Sequence, residues 1–239
     1  MVDLSIISPT YNEVETVSKF LESVEAICSK LDVEYEIIVV DDNSPDGTLK
    51  ELQKYELKIE NLKVISRVTK RSLAGSIKDG LCCASGVVVL VMDFDLTHNP
   101  SYIPKLYAEA ISDTFVIGSR FIGSTYGMAN KYHFWSSLVF NKVVSLILRL
   151  PTSDNLSGYF AVKKALIAPM IKQSNIFRGY GDYFMGLIYL CKVRGIQLEE
   201  ISIVYNIRQM GKSKSKYLKL IFTYSWRLIN LRFGSKVLK

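Results

Sequence analysis

The chain is poor in the residues that build metal cages and covalent cross-links. Its 239 residues include only four cysteines and two histidines. Cys28, Cys82, Cys83 and Cys191 form no CxxC pair, which argues against a zinc site or a disulfide framework and fits a reducing cytoplasm. No GxGxxG or GxxxxGK[ST] run follows a strand-like segment, so neither a dinucleotide site nor a P-loop is indicated. No uninterrupted apolar run reaches the roughly 18 residues expected of a membrane span. The N-terminus enters a strand-like run, LSIISP, without a basic-then-apolar leader, so no signal peptide is expected. Acid is missing from the far end: from Lys212 onward there are eight Lys or Arg and no Asp or Glu. Such a tail suits an anionic surface, whether membrane, nucleic acid or a phosphorylated substrate. No helix-turn-helix or base-stacking signature accompanies it, which sets nucleic acid aside.

What is present is an ordinary globular composition, 49% hydrophobic and 22% charged with net charge +7, which excludes wholesale disorder. Apolar runs of strand length occur at 4–8, 35–40, 62–66, 87–92 and 115–119, with amphipathic stretches of helix length near 13–29, 46–55, 74–84 and 101–112. Strand–helix alternation with wholly apolar strands predicts an α/β fold around a buried, mostly parallel sheet. Beyond residue 122 the pattern turns helical, at 131–150, 163–172 and 180–194. A strand-like QLEEISIVYNI, a loop RQMGKSKSK and a terminal helix from about Tyr217 follow. In 131–150 the polar residues Ser137, Asn141, Ser145 and Arg149 recur every four positions opposite a wide apolar face. The terminal helix repeats this with a basic stripe. Both helices fit either packing on the domain or lying in a membrane interface. The simplest division is a domain over 1–213 and a basic amphipathic helix over 214–239.

In parallel α/β sheets, ligands bind beyond the C-terminal ends of the strands. Three polar motifs fall there: SPTYNE (8–13), DDNSPDGT (41–48) and DFDLTHNP (93–100). An extended D-F-D places Asp93 and Asp95 on one side and Phe94 on the other. Two such carboxylates can share Mg2+ or Mn2+, with substrate phosphate completing the shell. Asp41 and Asp42 stand before a turn, where carboxylates accept hydrogen bonds from a base or ribose. Ser44, Pro45 and Gly47 turn the chain. Tyr11 offers a ring for stacking. Asp182 either acts as a base or caps the helix that it begins.

Together with GSRF, SDNLSGYF and RQMGKSK, these motifs stand in the order found in family 2 glycosyltransferases, and most resemble the dolichyl-phosphate (polyprenyl-phosphate) mannosyltransferase group. The resemblance runs from Ser5 to about Lys216. It implies a GT-A nucleotide-sugar fold with a divalent cation, Mg2+ or Mn2+. It further implies inverting transfer of mannose or a related hexose from a GDP-mannose-like donor to a polyprenyl or dolichyl phosphate. By position, Pro9, Tyr11, Glu13, Val40, Asp42, Met92 and Phe94 would line the nucleotide-sugar. Asp93 and Asp95, with Thr97 as third ligand, would meet metal and diphosphate. Arg120, Arg208 and Lys214 would neutralise phosphate, and Lys131 would face the acceptor. Asp93, Asp95, Arg120 and Asp182 are the catalytic candidates. The group has a small residue where this chain has Phe94, and Gln or Ser where it has Thr97, which points to Phe94 as a choice of sugar. The expected setting is peripheral, on the cytoplasmic face of a membrane, with a small anchoring subunit or a second copy as candidate partners. A glycan hydroxyl acceptor and a non-catalytic sugar-nucleotide-binding subunit are the competing readings.

Overall fold

A computed structural model describes residues 1–122, 131–173, 176–206 and 217–234, with backbone alone for 131–133 and 217–221. The first half alternates as its apolar runs predict. Strands β1 (Leu4–Thr10), β2 (Tyr35–Asp41), β3 (Leu62–Ser66), β4 (Val88–Val91) and β5 (Phe115–Ser119) are separated by helices α1 (Val17–Cys28), α2 (Thr48–Glu56), α3 (Leu73–Cys83) and α4 (Ile103–Ala110). Then come α5 (Lys131–Leu148), β6 (Phe160–Lys163), α6 (Lys164–Ile171), α7 (Asp182–Val193), β7 (Leu198–Ser202) and α8 (Tyr217–Phe233). The seven strands form one sheet in the order β3-β2-β1-β4-β6-β5-β7. Every residue of β1 and β4 is buried, because helices cover both faces and no alternating polar side is left to water.

One strand has no counterpart in the sequence reading. β6 is only FAVK and runs antiparallel to both β4 and β5, in register Val91↔Phe160 and Ile117↔Phe160. Three apolar residues are too few to show a period. It wedges between β4 and β5, so the sheet is mostly rather than wholly parallel. The β1–β4 ladder ends at Ile7↔Val91, while β1–β2 continues to Thr10↔Asp41. The Ile7 carbonyl accepts from Met92 N on the β4 side, and the Thr10 carbonyl from Asp42 N on the β2 side. By alternation, the N–H that Pro9 lacks would have faced the side where β4 has already ended. A proline is tolerated there for that reason.

One face of the sheet packs α1, α2 and α4 around Phe20, Leu52 and Leu106; the other packs α3 and α5–α8 around Phe115, Phe160 and Phe184. Helices α5 and α8 both leave large apolar side chains facing outward. The polar stripe of α5 turns inward: Asn141 is fully buried, its Oδ1 accepts from Asn155 N at 2.7 Å, and Ser145 Oγ donates to Thr152 O at 2.6 Å. Trp135, Val139, Val143 and Leu146 are left exposed. In α8, Leu228 and Leu231 enter the core while Phe222, Trp226, Ile229 and Phe233 face out, Phe222 at 76% and Trp226 at 64% exposure. No helix among the described residues is long and apolar enough to cross a membrane.

Candidate active site

A cleft of about 350 Å3 opens at the C-terminal ends of β1, β2 and β4. SPTYNE and DDNSPDGT are cross-linked there before any ligand arrives. Asn12 N donates to Ser44 Oγ (2.9 Å), Glu13 N to Thr48 Oγ1 (2.9 Å) and Val14 N to Asp46 Oδ2 (3.2 Å). Burial works against the charge on Asp46, yet hydrogen bonds from Thr48, Val14 and its own backbone hold it below the usual carboxylate range. The second motif is therefore structural through Ser44, Asp46 and Thr48. Asp42 lines the cleft with both oxygens engaged, Oδ1 by Arg67 Nη1 and Oδ2 by Ser72 N at 2.7 Å. Arg67 also donates to Asp79 Oδ2 at 2.7 Å. Asp41 is fully buried; Oδ2 accepts from Ser44 N, and Oδ1 has no hydrogen-bond partner among the described residues. The Arg71 guanidinium lies 4.3 Å from the centre of the Tyr11 ring, a cation–π contact at the mouth of the cleft.

Asp93 and Asp95 both line the cleft, although not as an extended chain would place them. The strand stops at Val91, and Phe94 and Asp95 lie in a turn that runs into Leu96, whose φ is +61°. Asp95 Oδ1 accepts from Thr97 N (3.1 Å) and Thr97 Oγ1 (2.6 Å). Thr97, expected as a third ligand, bonds to the Asp95 carboxylate and lies outside the cleft lining. Phe94 touches the cleft floor, but its ring is 2% exposed and stacks on Phe20 with centroids 4.2 Å apart. It holds the turn to α1. Val40 and Met92 are fully buried in the two cores, outside the lining; both were expected at the nucleotide-sugar.

Arg120 also departs from expectation. Its Nε and Nη2 bond the two oxygens of Asp154, both at 2.7 Å, and its own N–H adds a third bond to the same carboxylate. Asp154 is fully buried, and its N–H donates to Glu200. This fork joins the end of β5 to the 151–159 segment and lies off the cleft lining. Asp182, at the first position of α7, lies 5% exposed beneath the cleft rim and outside its lining. Burial pushes its carboxyl up, while the Tyr180 N–H that it accepts at 2.9 Å pulls the other way. Gly179, at φ +81°, is required above it, since a Cβ there would stand 2.4 Å from Asp182 Oδ1. Arg208 and Lys214 lie outside the described residues, and of Lys131 only the backbone is described.

The far wall of the cleft was not anticipated. It comprises Leu156, Ser157 and Gly158, the 179–181 loop, Tyr183 and Tyr224 of α8, whose hydroxyl accepts from Gly181 N at 3.0 Å. Ser157 and Gly158 stand in a motif quoted from the sequence, but nothing local distinguishes them from turn residues. His98 is a second omission. It is fully buried, stacked on Tyr159, and its two nitrogens engage Asp93 N (2.8 Å) and the Tyr205 hydroxyl (2.7 Å). Burial holds the imidazole below its ordinary pKa, against the opposing pull of Asp93 and Asp95.

The donor set fits a divalent cation that also binds diphosphate. Two carboxylates reach an open cleft, and no group of three His, Cys, Asp or Glu forms a self-sufficient cage among the described residues. Mg2+ and Mn2+ sites of this kind take one or two carboxylates and leave the other positions to phosphate oxygens and water.

A mostly parallel sheet with acidic and aromatic residues converging past β1, β2 and β4 defines a nucleotide-sugar-type α/β domain. Residues 5–168 match the model of glycosyl transferase family 2, and the chain belongs to that family. It is 33% identical over 228 residues to the dolichol-phosphate mannosyltransferase of Pyrococcus furiosus, covering 92% of this chain and 61% of that protein. It is 28% identical over 220 residues to the undecaprenyl-phosphate 4-deoxy-4-formamido-L-arabinose transferase of Proteus mirabilis, covering 91% and 64%. With the dolichol-phosphate mannosyltransferase of Saccharomyces cerevisiae the figures are 26% over 242 residues, 98% and 90%. The chain thus spans about six tenths of the length of the first two relatives. Among solved structures, glucosyl-3-phosphoglycerate synthase of Mycobacterium tuberculosis in complex with Mn2+, UDP and phosphoglyceric acid superposes with a TM-score of 0.68. The match covers 96% of this chain and 77% of that one; at 18% identity it speaks for the fold alone.

Proposed function

We propose that this protein transfers a hexose, mannose or a close relative, from a GDP-mannose-like donor to a polyprenyl or dolichyl phosphate, with inversion at the anomeric carbon. The observation that carries the reading is a juxtaposition. Tyr11, Asp42, Asp93 and Asp95 share one cleft, and Tyr224 closes its far wall from the same helix that exposes Phe222, Trp226 and Ile229. Asp93 and Asp95 would hold Mg2+ or Mn2+. The bound cation supplies charge stabilisation to the departing nucleoside diphosphate. Tyr11 and Arg71 offer a stacking face for the base. The buried Thr10 hydroxyl, without a partner among the described residues, is available to the ligand. An acceptor phosphate is already ionised near neutral pH and needs no base, which agrees with a cleft from which the Asp182 carboxylate is withheld. Residues 1–213 serve as the catalytic domain.

In a panel of radiolabelled nucleotide-sugars with polyprenyl phosphate in detergent, one donor is expected to give a lipid-linked product. EDTA should eliminate that product, and Asp182→Asn should retain most of it, because the amide oxygen can still accept the Tyr180 N–H. Elongation of a free glycan, lost in Asp182→Asn, with no lipid-linked product would reject the lipid-phosphate acceptor.

We assign the outward faces of α5 and α8, with the basic terminal segment, to an anionic membrane surface. Aromatic and aliphatic side chains are exposed on each of two helices that pack together, and clustered exposed apolar surface marks interaction sites. Each large apolar side chain taken from water contributes roughly 1.5–3 kcal/mol. Phe222→Glu with Trp226→Glu is therefore expected to weaken binding to anionic vesicles by at least about tenfold without loss of fold, as read by vesicle co-sedimentation. Unchanged binding would refute the assignment.

A further inference from the structure

The D-x-D turn is held only in part by its own sequence, through Thr97 on Asp95 Oδ1 and Asp93 N on His98. Leu96, a side-chain-bearing residue at φ +61°, occupies the left-handed region that L residues disfavour, and contacts from outside the turn add to the local ones that keep it there. They come from more than a hundred residues away. The segment after β7 reaches back and bonds the turn three times. Asn206 N donates to Thr97 O (2.9 Å), Asn206 Nδ2 donates to Leu96 O (3.0 Å), and the Tyr205 hydroxyl meets His98 Nε2 (2.7 Å).

These contacts also fix the donors and acceptors along the path from Asp93 through His98 to Tyr205. Asp93 N–H donates to His98 Nδ1, so that nitrogen carries no proton. The neutral imidazole must then bear its proton on Nε2 and donate it to Tyr205 Oη. Tyr205 in turn donates to Ser157 O at 3.1 Å. One ordered sequence thus runs from the backbone of Asp93 to the far wall of the cleft. The Tyr159 ring, stacked on His98 at 4.7 Å, and the Arg120 guanidinium, 5.0 Å from the Tyr205 ring centre, fix the two aromatic planes. A strained residue over-determined by surrounding contacts beside a reactive group is the pattern of strain kept for function.

We propose that Tyr205 and Asn206, acting partly through His98, are positioning residues that hold the Asp93–Asp95 turn in the shape that receives the divalent cation and diphosphate. The proposal rests on the reading of the cleft given above. None of the three residues needs to touch substrate. Their effect is to set where the carboxylates point, as outer partners do in metal sites generally.

Tyr205→Phe removes one hydroxyl, and Asn206→Ala removes one bond to Leu96 while leaving the Asn206 N–H bond in place. Free Mn2+ is measured by electron paramagnetic resonance during titration of each variant in the presence of GDP, corrected for the folded fraction by circular dichroism. Both variants are expected to bind Mn2+ about tenfold more weakly, and to lose kcat with little change in KM for the lipid acceptor. His98→Asn, which keeps an acceptor opposite Asp93 N, is expected to retain more affinity than His98→Ala. Loss of melting temperature with Mn2+ affinity within twofold of the parent would reduce these residues to structural ones and overturn the proposal. If the parent itself binds no Mn2+ with GDP, the reading of the cleft fails, and the proposal with it.

Discussion

Asp95→Ala is expected to lower sugar transfer on the order of a thousandfold, with the chain still folded. In the proposed reaction the leaving group is a nucleoside diphosphate, whose charge grows as the glycosidic bond breaks. In the described part of the cleft that charge faces Asp42, Asp93, Asp95 and Glu13, with Arg71 as the basic lining residue. Such a lining repels a diphosphate unless a cation intervenes, so removing one of the two carboxylates that would hold that cation strikes the charge balance of the transition state. The fold should tolerate the change. Asp95 lies half-buried in a turn, and its bonds to Thr97 N and Oγ1 involve groups that water can satisfy. Initial rates over a Mn2+ series, alongside a thermal melt, separate the two effects. A variant that turns over at the parent's rate would show that the two aspartates do not carry the chemistry.

Arg120→Ala is expected to destabilise the protein by about 3–5 kcal/mol. The loss comes less from the attraction surrendered than from what remains: the fully buried Asp154 carboxyl loses both fork bonds and its compensating cation. Mutating both partners to apolar residues should therefore cost less than mutating Arg120 alone. Urea unfolding of Arg120→Ala and of the Arg120→Met, Asp154→Leu pair makes the comparison. A single variant as stable as the parent, with a KM for the nucleotide-sugar raised many fold, would restore Arg120 to a phosphate-binding role.

The case of Arg120 shows where sequence reasoning reaches its limit. GSRF places an arginine at the end of a strand on the functional edge, and its charge alone suggests phosphate. That it is taken up by Asp154, 34 residues later, depends on how the 151–159 segment returns to β5. The same holds for Val40 and Met92, which motif position puts beside the ligand and the sheet turns into the core. His98 was visible inside its motif, yet its value lies in Tyr205, more than a hundred residues on. β6 escaped notice because three apolar residues carry no period. The inward turn of Asn141 and Ser145 escaped for another reason: periodicity marks two faces of a helix without saying which one meets the protein.

The sequence by itself determined the alternation of strands and helices, the edge of the sheet where chemistry would gather, and the family. Each is written in local apolar periodicity or in contiguous motifs, since run length and spacing follow from backbone geometry. Only the tertiary structure decided which polar groups are already partnered and which remain for a ligand. That choice depends on long-range pairing, in which each buried donor must find an acceptor wherever the chain happens to bring one. Hence Asp93 and Asp95 face the cleft, Arg120 is withdrawn from it, and two residues after the last strand set the shape of the turn.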